Sequence, residues 1–499
     1  MFPRSVLGWF SSHNIFSKSK ATRRSFRSVM SDNAHNAQAA SSSSKLVVIL
    51  AGPTAAGKSD VAARICASRS GIIVSADSVQ AFRGVQIGAN KPTPEELEET
   101  PHILVNVADH TESYNAAEWR RDALYTIQNL ASLPANTKPN KASTLLMVED
   151  EAKDQIEKKR QAGIGISIDQ ARKRKNYAAD QPVLPVVVGG TMMYLQWLVH
   201  GKPDALRPSE EAVRKAVETM TDHESKDDFQ GAVEHVGSFG PVFESQITKL
   251  YGKDWYRLRR ILEMAYTVEE KNDDTLLAKL YSGLREGDLA SLGYDVRCFF
   301  LCPDDWMKHT KIVDKRCEEM IRRGLLQETT DLVLSGSMPT MASKAIGYRQ
   351  VLDYLEREGA RDGDADAFQK FLDQFTTATR QYAKKQMQWF RKDQEFVFVP
   401  VAVSKEDNAD RVQMAADEVE RMIGVSRADF DRERLFDTST SAISRKNNEE
   451  QGKKMKTYQF KRHILINGSE ELTQSLQKAD ECSNRLQAKR PRRTEQSLP

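Results

Sequence analysis

Residues 52–59, which read GPTAAGKS, have the composition of a phosphate-binding loop and fit the pattern G-x-x-x-x-G-K-[ST]. Gly52 and Gly57 allow a tight turn whose backbone N–H groups point inward. Lys58 adds a positive charge, and the Ser59 hydroxyl can bind Mg²⁺. The pattern predicts a di- or triphosphate site but not the reaction that follows, and the alternative is a glycine-rich turn that only closes a strand–helix unit. The predicted phosphate-binding residues are Gly52, Pro53, Thr54, Ala55, Ala56, Gly57, Lys58 and Ser59.

The elements around this loop are the ones that such a site needs. The apolar run Leu46–Leu50 predicts a buried parallel strand, and Lys58–Ala67 predicts a helix whose positive N-terminal end faces the anion. Two further short strands are predicted at Gly71–Ser75 and Val183–Val188. Because ligands of parallel sheets bind outside the carboxyl ends of the strands, these strand ends are expected to share one crevice with the loop.

Two polar residues, Asp77 and Thr191, follow these two strands. A carboxylate at this position can act as a general base, and we predict that role for Asp77. The alternative is that Asp77 organises Mg²⁺ or caps a turn. Thr191 either contacts the substrate or only bonds within the turn after Gly190.

Composition limits the class of protein. The 499 residues suffice for two compact domains with tails, and the net charge of +3 means that any surface for nucleic acid must be local. The five scattered cysteines are typical of a reducing compartment. No apolar run reaches the roughly 18 residues of a membrane span.

The order of patterns predicts an α/β protein with a P-loop NTPase-like parallel sheet core, a helical insertion domain and disordered tails. The leader is basic and serine-rich, which favours a mitochondrial address, with Met30 as an alternative start for a cytoplasmic or nuclear form. The basic run at 489–493 is either a nuclear signal or part of a solvated tail. The predicted regions are a transit-peptide-like or disordered leader at 1–45, the core at 46–201 with a low-complexity, mobile insertion at 131–182 that is partly helical around 151–161, the helical insertion at 202–295, the remainder of the core at 296–424 and a charged, largely disordered tail at 425–499.

Eight stretches, taken in order over about residues 46–400, resemble the tRNA dimethylallyltransferase (tRNA isopentenyltransferase) family. Each stretch alone is weak evidence, whereas the ordered set is specific. The stretches are GPTAAGKS at 52–59, SADSVQAFRGVQIGANKPTPEE at 75–96, PHILVNVADHTESYNAAEW at 101–119, VVVGGTMMYLQWLVHG at 186–201, RLRRILEM at 257–264, the helix with Val313, Asp314, Arg316 and Met320, KAIGYRQ at 344–350 and TRQYAKKQMQWFRK at 379–392.

The resemblance implies that a dimethylallyl group moves from dimethylallyl diphosphate to N6 of adenosine 37, next to the anticodon of tRNA. The implied catalytic residues are Asp77, Lys58, Arg316 and Thr191, with Mg²⁺ and Arg316 at the diphosphate. The expected partners are the tRNA anticodon stem-loop and dimethylallyl diphosphate, with no membrane and a monomeric chain.

The resemblance also places a set of residues against tRNA. For several of them a structural role is the alternative: Arg257 and Arg260 as a solvated helix face, Arg214 as a surface charge, and Gly347-Tyr348 as a packing corner. The residues placed against tRNA are Asp77, Ser78, Val79, Gln80, Thr191, Arg214, Tyr256, Arg257, Arg259, Arg260, Lys344, Gly347, Tyr348 and Arg349.

A basic stripe on the helix at 376–392, formed by Arg380, Lys384 and Arg391, fits either tRNA phosphates or an ordinary basic surface. The tail offers only Cys482 and His463 as ligands, too few for the zinc finger that many eukaryotic members carry. The sequence therefore predicts no zinc finger in the tail, which removes this source of additional tRNA binding and leaves the chemistry unaffected.

Three other functions fit parts of the pattern. An adenylate isopentenyltransferase would share the fold and chemistry, a small-molecule kinase would place ATP in the same loop, and a non-catalytic RNA-binding protein would carry a decayed site. The helical insertion and the basic helix favour a tRNA acceptor over a mononucleotide, and Lys58, Asp77 and Arg316 argue against a decayed site.

Overall fold

A computed structural model of the chain describes residues 45–131, 165–178, 181–203, 208–250, 252–272, 285–356, 363–403, 408–437 and 458–489. The predicted leader (except Lys45), the predicted helix at 151–161 and the basic residues 490–493 lie outside the described residues.

The described strands form a six-stranded sheet and a separate two-stranded one. The six-stranded sheet has the order β3-β2-β4-β1-β7-β8, and every neighbouring pair in it is parallel. The prediction of an α/β protein with a parallel sheet core is confirmed. The strands are β1 (Leu46–Ala51), β2 (Gly71–Ala76), β3 (His102–Ile103), β4 (Leu184–Gly189), β5 (Lys202–Pro203), β6 (Arg285–Glu286), β7 (Asp295–Pro303) and β8 (Phe396–Val401).

Helices connect and cover these strands, and none that the structure describes has the length and apolar character needed to cross a membrane. The helices are α1 (Lys58–Ser68), α2 (Pro94–Glu99), α3 (Ala116–Leu130), α4 (Ile168–Arg174), α5 (Met192–Val199), α6 (Glu210–Ser225), α7 (Phe229–Gly237), α8 (Pro241–Ile247), α9 (Trp255–Lys271), α10 (Trp306–Arg322), α11 (Leu325–Ser335), α12 (Thr340–Ser343), α13 (Tyr348–Leu355), α14 (Ala365–Phe390), α15 (Asn408–Gly424), α16 (Arg427–Asp437) and α17 (Glu470–Ala488).

The continuous apolar sequence of β1 follows from burial on both faces of the sheet. Val47, Ile49 and Ala51 pack into one hydrophobic cluster, and Val48 and Leu50 pack into the cluster on the opposite face. A strand covered by helices on both sides has no solvent face, so it needs no polar residue at alternate positions.

The chain divides into two compact units, residues 1–199 with 289–499 and residues 200–288. The second unit is built from α6, α7, α8 and α9 around a small apolar core that includes Met220, Phe243 and Leu262. The antiparallel pairing of β5 with β6 joins the two ends of this unit. A helical insertion therefore interrupts the α/β core, as predicted.

The last part of the predicted insertion at 131–182 belongs to the core. Ile168 and Ala171 of α4 are buried. The buried Arg172 guanidinium donates hydrogen bonds to the carbonyl oxygens of Ala178 (2.9 Å) and Gln181 (2.7 Å). The prediction of a mobile segment is wrong for these residues because Arg172 binds the surrounding backbone.

The predicted disordered tail is also wrong for residues 425–437 and 458–489. Phe430 of α16 is buried, as are Leu472, Ala479 and Cys482 of α17. The three α17 residues lie seven and three positions apart, which places them on one side of the helix. This apolar stripe packs into a hydrophobic core of the larger unit, residues 1–199 with 289–499, which we call the main unit. The charged residues around the stripe give the segment its polar composition.

Gly189 tests the packing at the strand ends. A Cβ atom at Gly189 would lie 2.2 Å from the carbonyl oxygen of Ala76 on β2. We therefore expect Gly189→Ala to lower the free energy of unfolding by about 1–3 kcal/mol, measured by urea denaturation. Gly424→Ala is the control, because a Cβ there would meet nothing closer than 4.0 Å. A Gly189→Ala protein as stable as this control would contradict the packing.

Candidate active site

The phosphate loop, Gly52–Ser59, connects β1 to α1 and leaves the start of the helix uncapped. Gly57 is the N-cap residue with φ +80°, a left-handed conformation that favours glycine. No side chain caps α1. The backbone N–H groups of its first turn are therefore available to an anion, and the helix dipole favours negative charge at this end.

Lys58 extends across the loop. Its Nζ donates to the carbonyl oxygens of Gly52 (3.0 Å) and Pro53 (2.9 Å). Burial, and secondly the positive charge of Arg316, lower the pKa of Lys58 to about 7. An anion bound in the loop would stabilise the charged form of Lys58 and raise this pKa.

Arg316 lies on α10, and its charge acts on Lys58 of the phosphate loop, the anion cradle at residues 52–59. It is half-buried, and burial is the main cause that lowers its pKa, with the Asp77 charge acting in the opposite direction. Its charge also depresses the pKa values of Lys58 and His309. The structure thus brings together two cationic side chains that sequence reasoning assigned to the diphosphate.

Two buried side chains that sequence reasoning missed, Gln386 and His309, hold the backbone of Thr54 in the loop. Gln386 Oε1 accepts from the Thr54 N–H (2.9 Å), and its Nε2 donates to the Gly190 carbonyl at the end of β4 (2.9 Å). His309 Nε2 lies 3.0 Å from the Thr54 carbonyl oxygen. Burial lowers the pKa of His309 to about 4, so the ring is neutral and donates this hydrogen bond.

A sequence signal for Gln386 exists. On α14 it lies with Ala383, Met387 and Phe390, all of which are buried. A polar residue on an apolar helical stripe must find a hydrogen-bond partner in the interior. No comparable pattern marks His309, since its partner Thr54 is 255 residues away.

Asp77 directly follows β2 and caps its own turn. Its Oδ1 accepts from the N–H groups of Val79 (2.9 Å) and Gln80 (3.2 Å). The Asp77 charge raises the pKa of Lys58, which shows that the carboxylate lies near the cradle. The capping interpretation therefore holds for Oδ1, while Oδ2 takes no part in these two bonds.

Thr191 connects the ends of β2 and β4. Its Oγ1 accepts from the Ser78 N–H (3.1 Å), and its own N–H donates to the Ala76 carbonyl (3.3 Å). The hydroxyl proton is not used in the bond to Ser78, because the oxygen is the acceptor there. The structure thus places Thr191 beside the Asp77 turn, and its catalytic role stays a prediction.

Ser59 and Asp60 are the oxygen groups in the first turn of α1, and both are exposed. Burial of its carboxyl group, which is only partial, is the main cause that raises the pKa of Asp60, and a hydrogen bond from Asn408 opposes it. Mg²⁺ prefers hydroxyl, carboxylate and phosphate oxygens. The residues present fit that ion once a diphosphate supplies the remaining oxygens.

Three residues predicted to contact tRNA, Gln80, Gly347 and Tyr348, make contacts within the protein. The Gln80 amide donates to the carbonyls of Ala89 and Asn90, at 3.3 and 3.2 Å. Tyr348 is fully buried, with its hydroxyl 2.6 Å from Glu328 Oε1, and Gly347 beside it is also buried. For Gly347 and Tyr348, which are buried, the tRNA prediction is wrong and the alternative of a packing corner holds. Gln80 is half-buried, like Ser78 and Val79, so its predicted contact with tRNA stays a prediction.

The remaining tRNA predictions in the main unit concern Ser78, Val79, Lys344 and Arg349. Ser78 and Val79 are half-exposed beside Asp77, while Lys344 and Arg349 are exposed at the ends of the Gly347 corner. Their side chains are accessible, so the predicted contact with tRNA stays a prediction.

The predicted basic stripe on α14 is interrupted. Arg380 Nη1 forms an ion pair with the buried Asp314 at 2.6 Å, and the Arg380 side chain is only 16% exposed. Lys384 is exposed and Arg391 is half-buried. Arg380 is therefore not available to tRNA phosphates, which is a correction of the stripe prediction.

The unit at 200–288 carries the other predicted tRNA residues. Arg214 is exposed and paired with Glu211 and Glu218, so the alternative of an ordinary surface charge is favoured for it. Tyr256 is 65% exposed, and the Arg259 guanidinium lies 5.6 Å from its ring centroid. On α9 the exposed residues of this group are Tyr256, Arg257 and Arg260, whereas Arg259 is half-buried. Their contact with tRNA stays a prediction.

Three comparisons with known proteins agree with one another in the family that they match. The family model described as IPP transferase matches residues 80–136 and 158–393. The chain is 29% identical over 371 residues to tRNA dimethylallyltransferase 9 of Arabidopsis thaliana, covering 69% of each chain. It is 30% identical over 359 residues to the tRNA dimethylallyltransferase of Protochlamydia amoebophila, covering 72% of this chain and 84% of the relative.

A solved structure of a eukaryotic dimethylallyltransferase acting on tRNA aligns with 89% of this chain and 98% of its own, at 19% identity and a TM-score of 0.48. The family match resumes at residue 158. The segment that the family model leaves out is therefore 137–157, shorter than the predicted insertion at 131–182.

Gln386 offers a test of the loop geometry. Gln386→Met keeps the side-chain length but removes the acceptor of the Thr54 N–H and leaves the Gly190 carbonyl only the longer bond from the Tyr382 hydroxyl (3.4 Å). We expect the free energy of unfolding to fall by about 1–3 kcal/mol and the Kd for inorganic pyrophosphate, measured by calorimetry, to rise about tenfold. Gln388→Met, at an exposed position two residues along α14, should change neither quantity. Pyrophosphate affinity equal to that of this control would refute the role of Gln386.

Lys58 offers a test by pH. Since its pKa is about 7 in the free protein, Lys58 is largely neutral at pH 8 and should gain a proton when pyrophosphate binds. We expect uptake of about one proton more than in Lys58→Arg, whose side chain stays charged, in calorimetry with buffers of different ionisation enthalpy. The affinity of the wild-type chain should also fall more steeply between pH 6 and 9. Equal uptake by both proteins would show that Lys58 is already charged.

Proposed function

The chain belongs to the IPP transferase family, and we propose that it is an enzyme that transfers a dimethylallyl group from dimethylallyl diphosphate to tRNA. The observation that carries the proposal is the juxtaposition of the phosphate loop and two half-buried cations, Lys58 and Arg316, with the Asp77 carboxylate. Anion binding and proton removal are the two functions that this transfer requires of a protein.

The acceptor atom is N6 of adenosine 37 in the anticodon stem-loop. The new bond forms between N6 and the allylic carbon, while the bond between that carbon and the diphosphate oxygen breaks. Diphosphate leaves with the electron pair, and N6 loses one proton. The adenine must leave its stack to reach the site, which is easiest in a loop whose bases are not paired.

The phosphate loop and its neighbours stabilise the leaving group. The N–H groups at the start of α1, together with Lys58 and Arg316, face the negative charge that grows on diphosphate as the carbon–oxygen bond breaks. Mg²⁺ supplies further positive charge when bound, and Ser59 and Asp60 are the residues that would hold it. Partial burial of the two cations strengthens these interactions relative to water.

Asp77 is the general base. Its Oδ1 is fixed by the N–H groups of Val79 and Gln80, which orients the carboxylate and leaves Oδ2 for the N6 proton. Thr191 binds the Ser78 N–H of the same turn and therefore holds the base in position. Orientation of base and leaving group by backbone bonds lowers the entropic cost of the reaction.

The proposed enzyme is a monomer that acts in mitochondria, the cytoplasm or both, with a nuclear pool. The basic, serine-rich leader and the basic run at 489–493 support these locations. Imaging of the full chain with a tag, compared with a chain that starts at Met30, tests the leader.

The acceptor is tested with labelled dimethylallyl diphosphate and one acceptor at a time. We expect label in unmodified tRNA and none in AMP. Label in AMP alone would identify an adenylate isopentenyltransferase. Phosphate transfer from ATP to a small hydroxyl compound, without prenyl transfer, would identify a kinase.

Asp77→Asn tests the base without removing the cap, because the amide oxygen still accepts from Val79 and Gln80. We expect turnover to fall by about 10²–10⁴-fold, whereas the Kd for pyrophosphate should stay nearly unchanged. Asp364→Asn is matched, since Asp364 Oδ1 accepts from the N–H groups two and three residues along in the same way. If Asp77→Asn lost binding but kept its rate, Asp77 would be a metal organiser instead.

A further inference from the structure

The C-terminal segment, Tyr458–Lys489, contacts α10, the helix that carries Arg316. The contacts involve two carboxylates of α10, Asp314 and Glu318, which are both fully buried. A buried carboxylate is costly unless it is paired and hydrogen-bonded, so the partners of these two groups fix the position of the helix.

Asp314 is held by two partners that come from distant parts of the chain. Its Oδ1 accepts from Arg380 Nη1 at 2.6 Å, and its Oδ2 accepts from the Tyr458 hydroxyl at 2.7 Å. The Arg380 guanidinium carbon lies 5.4 Å from the centroid of the Tyr458 ring. Tyr458 therefore contacts both members of the ion pair.

Glu318 is held by the backbone of the same C-terminal segment. Its carboxylate accepts from the N–H groups of His463 (2.8 Å), Ile464 (2.7 Å) and Leu465 (2.7 Å). Three consecutive N–H groups on one carboxylate form an anion-binding turn in which the anion is part of the protein. This arrangement joins the segment to α10 one turn away from Asp314.

Arg316 lies between these two contacts in sequence. Asp314 and Glu318 are four residues apart and share one face of α10, whereas Arg316 is rotated by about 200° from each of them. The segment thus holds one face of the helix while Arg316 extends from the other face, where its charge acts on Lys58.

We infer that the C-terminal segment is a positioning element for Arg316: by binding Asp314 through Tyr458 and Glu318 through residues 463–465, it fixes the helix that presents Arg316 to the diphosphate. The inference rests on the proposed function, because it takes the diphosphate of the prenyl donor as the ligand of Arg316. It assigns to this polar tail a role in donor affinity and not in tRNA contact.

The test uses the full-length chain with Tyr458→Phe, which removes one hydroxyl and keeps the ring. We expect the Kd for inorganic pyrophosphate and the KM for dimethylallyl diphosphate to rise about three- to tenfold, while the KM for tRNA stays unchanged. Tyr354→Phe is the matched control, since the buried Tyr354 hydroxyl has no hydrogen-bond partner among the described residues. Its pyrophosphate affinity should equal that of the wild type.

A double-mutant cycle separates positioning from a general loss of stability. In an Arg316→Lys background, Tyr458→Phe should weaken pyrophosphate binding by less than twofold, because its effect passes through Arg316. Fully additive effects would overturn the inference. So would a Tyr458→Phe chain that binds pyrophosphate like wild type, or one whose only defect is a higher KM for tRNA.

Glu318→Gln replaces Tyr458→Phe if the latter does not fold, because the amide keeps the shape but places an NH₂ group against backbone donors. The same rise in Kd for pyrophosphate is expected, and an unchanged Kd overturns the inference. A wild-type chain that binds pyrophosphate but prenylates no acceptor would refute the proposed function, whereas the positioning inference is still decided by these Kd values. Absence of pyrophosphate binding by the wild-type chain would refute both.

Discussion

One buried amide, that of Gln386, fixes the phosphate loop relative to the neighbouring strand end. Its Oε1 accepts a hydrogen bond from the Thr54 N–H, and its Nε2 donates one to the Gly190 carbonyl. Thr191, the next residue, binds the Ser78 N–H and so continues the connection to the Asp77 turn. The spacing between the anion cradle and the carboxylate is thus set by hydrogen bonds from two side chains, Gln386 and Thr191, to backbone groups. A reaction that joins two substrates depends on such a fixed spacing.

The cradle concentrates positive charge at a cost to the unliganded protein. Lys58 and Arg316 are both partly removed from water. The Arg316 charge lowers the pKa of Lys58, and both charges lower the pKa of His309. A diphosphate relieves this repulsion, and it does so most strongly as its charge grows during bond breaking. The neutral His309 supports the loop without adding to the repulsion, since burial lowers its pKa.

The sequence predicts the loop and the strands because each is encoded within a short, continuous pattern. Gln386 and His309 were missed because their partner Thr54 lies more than 250 residues away. Tyr348 and Arg380 were misassigned for a related reason. The residue type alone does not show that Tyr348 is buried with its hydroxyl bonded to Glu328, or that Arg380 is paired with the buried Asp314. The tail was misjudged because its charged composition outweighs the few apolar residues that form the buried stripe of α17. Nothing in the composition shows that the N–H groups of residues 463–465 bind Glu318.

The proposed reaction requires that the prenyl donor and the adenine meet between the phosphate loop and Asp77. The most direct measurement is a crystal structure with an unreactive thiodiphosphate analogue of the donor and an anticodon stem-loop bound together. We expect the diphosphate to lie against Gly52–Ser59 and Arg316, with adenine N6 within hydrogen-bond distance of Asp77 Oδ2. An adenine held in a different cavity, out of reach of both the donor carbon and Asp77, would contradict it.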